Sequence, residues 1–375
     1  MTVGRPLTVL FAPDSFKGSL TSVEVARALA AGWARARPSD TVLLAPLADG
    51  GEGTLVAIEA AGGWVWRTAR ATDPIGRPIE APWLQSTDGS RGVVELAAAS
   101  GLSRLTAVER DPLGASTIGT GEVLAAAIDA GVRHITLGIG GSATNDGGAG
   151  ILAALGTRVG GDGEAVDISG LDPRLAEIEL RIACDVTNPL LGPAGAAATY
   201  GPQKGADADQ VAELDRRLAR YADGLEAATG RRERETPGAG AAGGTGFGLL
   251  SLRDQFATLE LVPGIEVVMA AADFDGKLGQ ADVVVSGEGR IDAQTAFGKT
   301  ALGVARRAAE AGVACIVVGG GVTPEGIAAL APLGAVVVPV VELPQSVEEA
   351  MAAGADPVER CGERIARLIG LATAS

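Results

Sequence analysis

Short apolar runs that end in glycine-rich, acidic loops are the feature that most constrains the fold of this chain. The first run covers residues 7–12. After its loop, Thr21 and Glu24 have the spacing of a capping box, which predicts that a helix starts there. A second run, residues 41–47, repeats the order of strand, loop and helix. This alternation predicts an α/β fold with parallel strands.

Three further apolar runs near the end of the sequence are rich in Val or Ile and are separated by helical stretches. They cover residues 282–286, 314–319 and 335–341. Runs of this kind are typical of buried parallel strands. Together with the first two runs they predict one doubly wound sheet with strand order 2-1-3-4-5. Residues 1–63 and 276–375 are then predicted to form this domain, and residues 64–275 to form a second, inserted α/β domain.

The composition excludes several classes of protein. The chain has 375 residues, 55 of them glycine, and a formal net charge of −15, which opposes binding to nucleic acid. A single histidine, His134, argues against a zinc site built from histidines. The sequence lacks the apolar run of about 18–20 residues that a membrane span requires, and we expect no signal peptide because no apolar signal core follows Arg5. We therefore expect no partnership with nucleic acid or membrane.

The cysteines indicate in which cellular compartment the protein is expected. Cys184, Cys315 and Cys361 are odd in number and far apart in the sequence, which fits reduced thiols better than a disulfide framework. A cytoplasmic protein is the expectation. The sequence leaves the oligomeric state open, and a homo-oligomer remains compatible with it.

Two loops carry chemistry at the predicted carboxyl edge of the sheet, where open α/β folds bind ligands. Asp14, Ser15 and Lys17 directly follow the first strand, and a capped loop with solvated charges is the alternative explanation for them. Asp49 and Glu52 lie in the glycine-rich loop after the second strand and could hold Mg²⁺, although solvated acids in a turn would look the same.

A third loop, residues 138–148, leaves a predicted strand and enters a helix. Successive backbone N–H groups in such a loop can point at phosphate oxygens, and the helix start adds positive charge. A tight structural turn is the usual explanation for glycines alone, but polar side chains embedded among them favour a ligand site. The candidate ligand-binding residues of this loop are Gly140, Gly141, Ser142, Asn145 and Asp146.

Two further segments are candidates. Asp185 follows another predicted strand and Lys204 precedes a predicted helix, so both are candidate members of a polar site, although a turn-stabilising Asp and a surface Lys are equally good explanations. Residues 237–246, which include Gly243 and Gly244, are too rich in glycine for a stable helix. A hinge, a flap and a phosphate-contacting loop remain open for this segment.

Residues 286–300 contain an incomplete nucleotide-binding signature. Lys299 lies in a Gly-Lys-Thr sequence after a strand, but Ala293 stands where a P-loop requires glycine. Lys299 is kept as a candidate phosphate-binding cation. The dinucleotide fingerprint G-x-G-x-x-G is missing after the first strand, which argues against a Rossmann dehydrogenase.

Seven motifs, taken in order, resemble the type I glycerate kinase family. They are PDSFKGS, ADGGEGT, GIGGSATNDGG, CDVTNPLLGPAGAA, YGPQKGA, PGAGAAGGTG and GEGRIDAQTAFGKT, and they run from about residue 12 to residue 300. The resemblance implies a flavodoxin-like domain made from both chain ends, an inserted α/β domain and an active site in the cleft between them. It also implies a kinase that uses ATP and Mg²⁺ to phosphorylate D-glycerate, with 2-phosphoglycerate favoured over 3-phosphoglycerate as the product.

The resemblance suggests roles for the charged candidates, because phosphoryl transfer depends on positioning and charge neutralisation. Carboxylates would bind Mg²⁺ or accept the proton of the glycerate hydroxyl; they are Asp49, Asp185 and Asp292, with Glu52 as a further metal ligand. Cations would hold the glycerate carboxylate or the transferring phosphoryl group; they are Lys17, Lys204, Arg290 and Lys299.

Two alternative functions remain at this stage. A nicotinamide-dependent hydroxyacid dehydrogenase would share the fold, but it would lack its cofactor fingerprint and would have only His134 as a histidine acid or base. A non-catalytic protein that binds a small acid could use the same site, yet it would not need so many acidic loop residues.

Overall fold

The structure is a computed structural model that describes residues 5–48, 50–160, 165–293, 295 and 300–372. The chain divides into two compact units. The first unit contains Met1–Asp49, Val56–Gly62 and Val268–Ser375, and the second contains Gly50–Leu55 and Gly63–Val267.

The strands and helices alternate along the chain. The strands are β1 (Thr8–Phe11), β2 (Thr41–Leu44), β3 (Trp64–Thr72), β4 (Pro78–Ser86), β5 (Arg91–Glu95), β6 (His134–Gly138), β7 (Arg158–Val159), β8 (Val166–Asp167), β9 (Glu179–Ala183), β10 (Thr258–Val262), β11 (Val283–Ile291), β12 (Ala314–Val322) and β13 (Val336–Pro339). The helices are α1 (Ser22–Ala36), α2 (Thr54–Ala60), α3 (Leu96–Ser100), α4 (Ile118–Asp129), α5 (Ala149–Ala154), α6 (Ala196–Tyr200), α7 (Ala208–Thr229), α8 (Ala241–Ser251), α9 (Gly264–Ala271), α10 (Phe274–Leu278), α11 (Thr300–Ala311), α12 (Pro324–Leu330), α13 (Val347–Ala352) and α14 (Asp356–Ala372).

The first unit is built on a five-stranded sheet with the order β13-β12-β11-β1-β2. All of its strand pairs are parallel, and Val9 lies between Val42 of β2 and Val283 of β11. Numbered within the sheet, this order is 2-1-3-4-5, so the predicted α/β fold class and its strand order are confirmed. The carboxyl ends of these strands consequently meet at one edge, as parallel pairing requires.

Helices α1 and α14 pack closely together in the first unit. The α1 helix begins after Thr21, whose side chain forms the predicted capping box with Glu24. A Cβ atom on Gly32 would lie 1.8 Å from the carbonyl oxygen of Glu359, so only glycine lets the two helices approach this closely. Trp33 is fully buried in the same core and meets Phe11 edge-on at 5.9 Å between ring centroids.

The second unit is built on a six-stranded sheet with the order β10-β9-β6-β5-β4-β3. Strands β5, β6, β9 and β10 are mutually parallel, whereas β3 and β4 form an antiparallel extension at one edge. The long helix α7 is capped by Asp207 at its start and by Gly230 at its end. Its buried face, which includes Leu214 and Leu218, joins the apolar core of this unit.

The glycine-rich segment 237–246 does not form a regular helix, as its composition predicted. Near the start of α8, the residues Ala242, Gly243 and Gly244 have positive φ angles of 51°, 67° and 90°, which are not helical. Regular helical backbone continues only after Gly244. A role of this segment as a hinge, a flap or a phosphate-contacting loop stays a prediction.

Candidate functional site

The parallel strands of the second unit place one row of residues at the carboxyl edge of their sheet. Glu95 of β5 pairs with Gly138 of β6, which in turn pairs with Ala183 of β9. Val262 of β10 continues the row beside Ala183. The loops that follow these strands contain several of the predicted site residues, so the sequence order of strand and loop translates into one edge in space.

The turn Gly50–Leu55 lies directly on this row. The N–H of Gly140 donates to the carbonyl oxygen of Gly50 at 3.4 Å. A Cβ atom on Gly138 would lie 2.5 Å from that same oxygen, and one on Gly140 would lie 2.6 Å from the Cα of Gly51. Glycine is therefore required at these positions because two backbone segments touch each other.

Glu95 is a functional candidate that sequence reasoning missed. Only 7% of it is exposed, and its Oε1 atom is buried without a hydrogen-bond partner among the described residues. Burial raises the pKa of Glu95 to about 7; the charge of Glu52 also raises this pKa, while the nearby backbone N–H groups of Thr54, Gly53 and Leu55 lower it. An acid that ends an apolar Val-rich strand was the signal available in the sequence.

Lys204 donates hydrogen bonds to the Gly140–Asp146 loop from a buried position. Its ammonium nitrogen Nζ donates to Ser142 Oγ at 2.9 Å and to the carbonyl oxygen of Thr144 at 2.6 Å. Lys204 is 2% exposed, and desolvation lowers its pKa to about 7, with the charge of Asp146 acting in the opposite direction. The structure thus brings Lys204 and Ser142 together and places the lysine inside the protein.

Asp146 joins the loop to two helix starts. Its Oδ2 accepts hydrogen bonds from the N–H and the hydroxyl of Thr117, both at 2.8 Å, and from the N–H of Gly150 at 3.2 Å. Its Oδ1 accepts from the N–H of Gly148 at 3.1 Å. These contacts fix the conformation of the loop, and a role for Asp146 in ligand binding stays a prediction.

Asn145 and Thr144 leave polar atoms available inside the loop. The side-chain amide of Asn145 donates to the carbonyl oxygen of Pro112 at 3.4 Å, but its Oδ1 atom is buried without a partner among the described residues. The same holds there for Thr144 Oγ1. Buried polar atoms of this kind are usually satisfied by water or by a ligand.

Gly243 and Gly244 lie against the same loop. The N–H of Gly147 donates to the carbonyl oxygen of Gly243 at 3.0 Å, and a Cβ atom on Gly243 would lie 1.9 Å from the carbonyl oxygen of Thr144. Gly244 lies similarly close to Gly147. Both glycines therefore let α8 approach the loop, and their contact with a ligand stays a prediction.

The carboxylates proposed for metal binding are exposed where the structure describes them. Asp185 follows β9, and its Oδ1 accepts from the N–H of Gly264 at 2.9 Å. Glu52 is exposed in the turn above the row. Carboxylate oxygens are the ligands that Mg²⁺ prefers, so both residues fit this ion chemically. Among the described residues, no three or more His, Cys, Asp and Glu side chains group together as a metal site. Asp49 lies outside the described residues.

The first unit carries a second set of predicted residues at the carboxyl edge of its own sheet. Asp14 follows β1; its Oδ1 accepts from the N–H of Ser15 at 2.6 Å and its Oδ2 from the hydroxyl of Thr300 at 2.7 Å. Asp14 also donates through its N–H to the carbonyl oxygen of Gly287 at 2.8 Å. Lys17 is exposed in the same loop.

Arg290 and Asp292 lie at the end of β11, which extends beyond its neighbour β1. They form an ion pair at 3.0 Å, and the side chain of Arg290 is 72% exposed. The structure thereby brings these two predicted residues together. Lys299 lies outside the described residues, so its predicted role as a phosphate-binding cation stays a prediction.

Among the described residues, none of the helices combines the length and the apolar character needed to cross a lipid bilayer.

The fold and these edges define an α/β protein whose parallel strands end in glycine-rich, acidic loops. The sequence profile described as the Glycerate kinase family matches residues 9–370. The chain belongs to the glycerate kinase family. The predicted family and the predicted enzyme class, a kinase, are confirmed by this match and by the relatives.

The matches with similar proteins span most of this chain and most of each relative. The chain is 42% identical to a protein named glycerate kinase of Bacillus subtilis strain 168, over 98% of each chain. It is 44% identical to glycerate 2-kinase of Escherichia coli K12, over 80% of this chain and 81% of that protein. Among solved structures, a protein assigned as glycerate kinase 2 of Salmonella typhimurium LT2 matches with a TM-score of 0.85 and 38% identity, over 99% of this chain and 100% of that chain.

Proposed function

We propose that the protein transfers the γ-phosphoryl group of ATP to the 2-hydroxyl group of D-glycerate, with Mg²⁺ as the metal ion. The observation that carries this proposal is the contact between the Gly50–Leu55 turn and the row at the carboxyl edge of the six-stranded sheet. That contact places an acidic turn against a glycine-rich loop, which suits a bound phosphate with a metal ion. The relative named glycerate 2-kinase supports the choice of the 2-hydroxyl group.

The glycine-rich loop would bind phosphate oxygens. Backbone N–H groups at Gly140 and Gly141 and the hydroxyl of Ser142 supply donors, and Asn145 lies in the same loop. Because Lys204 donates to Ser142 and to the backbone of Thr144, it holds that loop in shape from within the protein. Donors fixed before the reaction stabilise developing charge without a reorganisation cost.

Carboxylates would serve the metal ion and the proton. Glu52 and Asp185 would hold Mg²⁺ together with Asp49, and bound Mg²⁺ neutralises charge on the phosphate oxygens. Asp185 or Asp292 would accept the proton of the attacking hydroxyl group. The glycerate carboxylate and the transferring phosphoryl group would be held by cations and small polar groups; these are Lys17, Arg290, Lys299, Asp14 and Ser15.

Neither alternative function is favoured. A hydroxyacid dehydrogenase would need His134 as its acid or base, but His134 is the first residue of β6 and therefore lies at the end of the strand opposite the glycine-rich loop. There it is paired with Glu179 at 2.8 Å. A non-catalytic binding protein is not suggested by relatives that are named as kinases.

The test is an assay of ADP formation with ATP, Mg²⁺ and a panel of hydroxyacids that includes D-glycerate and L-glycerate. The product is resolved by phosphorus NMR, and enolase added alone reports 2-phosphoglycerate. We expect turnover with D-glycerate and a direct enolase signal. A product that is 3-phosphoglycerate would overturn the regiochemistry, and ADP formation that no hydroxyacid stimulates would overturn the acceptor.

A further inference from the structure

Glu288 is a buried acid in the part of β11 that extends beyond β1. It is 7% exposed, and its Oε1 atom accepts a 2.7 Å hydrogen bond from the hydroxyl group of Thr295, which is itself fully buried. A buried carboxylate requires hydrogen bonds in place of the water that it has lost, and the Thr295 hydroxyl supplies one of them. The candidate residues selected from the sequence do not include Glu288.

The Thr295 hydroxyl connects Glu288 to the backbone of Asp292. While the hydroxyl donates to Glu288, its oxygen accepts the N–H of Asp292 at 3.1 Å. The N–H of Thr295 donates in turn to the carbonyl oxygen of Asp292 at 3.0 Å. Both polar backbone groups of Asp292 are therefore bonded to Thr295. Because a hydroxyl has a single proton, its bond to Glu288 leaves a lone pair directed at the N–H of Asp292.

Neighbouring backbone leaves Asp292 little room to move. A Cβ atom on Gly326, in the first turn of α12, would lie 2.8 Å from the backbone nitrogen of Asp292. The carbonyl oxygen of Ile291, one residue earlier, accepts the N–H of Thr323 at 2.9 Å. The Asp292 side chain is 18% exposed and pairs with Arg290 at 3.0 Å. A rotation of the Asp292 backbone would consequently redirect its carboxylate and disturb this ion pair.

The same strand borders another loop of the proposed site. The N–H of Asp14 donates to a carbonyl oxygen of β11 at 2.8 Å, and a Cβ atom on Gly289 would lie 3.5 Å from the backbone nitrogen of Lys17. The direction of the Asp292 carboxylate therefore matters relative to several groups at this sheet edge. In an enzyme site, a displacement of about 1 Å can cost on the order of 100-fold in rate.

We propose that Glu288 is a positioning residue, which fixes the backbone of Asp292 through the hydroxyl of Thr295 and so sets the direction of the Asp292 carboxylate. The inference rests on the proposed function, in which Asp292 is one of two candidate proton acceptors. Glu288 acts on Asp292 by way of Thr295 and touches neither substrate nor metal in this role.

The test uses two pairs of variants in the full chain. Glu288→Met and Thr295→Val keep most of the side-chain volume but remove the acceptor or the donor, whereas Glu288→Gln and Thr295→Ser keep them. The matched control is Thr21→Val in the same unit. Thr21 also donates to a glutamate, Glu24, at 2.8 Å, and it accepts the N–H of Glu24 at 3.2 Å.

Two quantities are measured on each variant. Hydrogen exchange of the Asp292 backbone amide is followed by NMR in protein labelled with nitrogen-15 aspartate, and Asp292→Asn identifies its signal. Steady-state kinetics give kcat and KM for ATP and D-glycerate. The double variant Glu288→Met with Thr295→Val completes the set, because it shows whether the two residues act together.

For Thr295→Val and for Glu288→Met we expect exchange of the Asp292 amide to accelerate by about tenfold. We expect kcat to fall by about 10- to 100-fold while both KM values change by less than about threefold. The double variant should lose no more kcat than the more damaged single variant, because both changes break one chain of hydrogen bonds. Glu288→Gln and Thr295→Ser should retain most of the protection and of kcat, and Thr21→Val should leave both unchanged.

Unchanged exchange of the Asp292 amide in folded Thr295→Val protein would overturn the proposal. So would kcat losses that multiply in the double variant, since the two residues would then act independently. If Glu288→Met does not fold, equal exchange in Thr295→Val and Thr295→Ser would still refute the role of the hydroxyl. Wild-type protein without glycerate kinase activity would refute the proposed function instead, while the amide exchange would still test the positioning role.

Discussion

The hydroxyl group of Thr300 donates a 2.7 Å hydrogen bond to Oδ2 of Asp14, joining residues 286 positions apart in the sequence. Asp14 follows the first strand of the parallel sheet, and Thr300 begins the helix α11. The loop after β1 and the start of α11 are thereby joined by a side-chain hydrogen bond. This bond fixes a carboxylate that we propose to be part of the substrate-binding residues.

Removing the Thr300 hydroxyl should weaken that edge. We expect Thr300→Val, which keeps the shape of the side chain, to lower the free energy of unfolding by about 1 kcal/mol and to lower kcat/KM for glycerate. Thr300→Ser keeps the donor and should retain most of both. Urea unfolding and steady-state kinetics measure the two effects, and equal behaviour of the Val and Ser variants would contradict the assignment.

The buried Lys204 predicts how stability depends on pH. Desolvation lowers its pKa from 10.5 to about 7 in the folded protein, so between these values the unfolded chain binds more protons. Stability should then rise with pH across this window, by up to about 1.4 kcal/mol per pH unit from this group. Lys204→Met removes the group, and its free energy of unfolding should lack this rise.

The measurement for Lys204 is urea unfolding of both proteins at several values from pH 7 to pH 10. The difference in unfolding free energy between wild type and variant should grow in favour of the wild type as pH increases. If the difference in unfolding free energy stayed constant from pH 7 to pH 10, Lys204 would carry the same charge in the folded and the unfolded protein.

The contact between Gly140 and Gly51 predicts a steric effect. Gly140→Ala would place a Cβ atom 2.6 Å from the Cα of Gly51, and backbone cannot move aside as cheaply as a flexible side chain. We expect a loss of about 1–3 kcal/mol in stability and a larger proportional loss in kcat. Thermal unfolding and kinetics measure both quantities.

The control for this variant is Gly279→Ala. Its nearest neighbour would be the carbonyl oxygen of Asp275 at 3.5 Å, and its φ angle is −63°, so alanine fits without strain. We expect stability and activity close to those of the wild type. Normal activity in folded Gly140→Ala protein would count against the close packing of the turn on the loop.

The carboxylates proposed for Mg²⁺ should show themselves in the metal dependence of the rate. Asp185→Asn keeps an oxygen that can accept the N–H of Gly264, but it removes the charge. We expect the Mg²⁺ concentration for half-maximal rate to rise by about tenfold or more, because Mg²⁺ binds through few protein carboxylates. Glu52→Gln should behave in the same direction.

A matched control for Asp185 lies at the other end of the same strand. Glu179 begins β9, is about half exposed and pairs with His134, so Glu179→Gln should leave the Mg²⁺ dependence unchanged. Titration of Mg²⁺ at saturating ATP and glycerate makes the comparison. If Asp185→Asn and Glu179→Gln coincide, Asp185 does not serve the metal ion.

The sequence predicted the five-stranded sheet well because buried parallel strands have a plain signature. Their residues are apolar in unbroken runs, and the loops after them are marked by glycine and acids. Two strands of the other sheet were not predicted. The strand β4 contains Pro78 and Pro82, which are unusual inside a sheet. Pro78 is the first residue of β4, and the pairing of β4 with β5 at Leu84 and Gln85 lies beyond both prolines, so the prolines are tolerated. The strand β10 is short, and in the part of the chain that the structure describes it pairs only with β9.

The site was less predictable than the fold, because burial depends on contacts between distant segments. Lys204 and Glu95 are both charged and nearly fully buried, yet nothing next to them in the sequence marks that environment. The motif around Lys204 made it a candidate, and the structure adds that its buried ammonium group donates hydrogen bonds to the Gly140–Asp146 loop. In the sequence, Glu95 has the features of an ordinary strand end, and its burial follows from contacts that the sequence does not mark.

The pairing of β1 with β11 also has a consequence during synthesis. Val9 of β1 pairs with Val283 of β11, so the ribosome adds 274 residues after Val9 before this partner exists. At ribosomal rates of about 5–20 residues per second this takes roughly 14 to 55 s. All strands of the six-stranded sheet have been synthesised before that moment, so the first strand has no partner on its β11 side while the rest of the protein emerges.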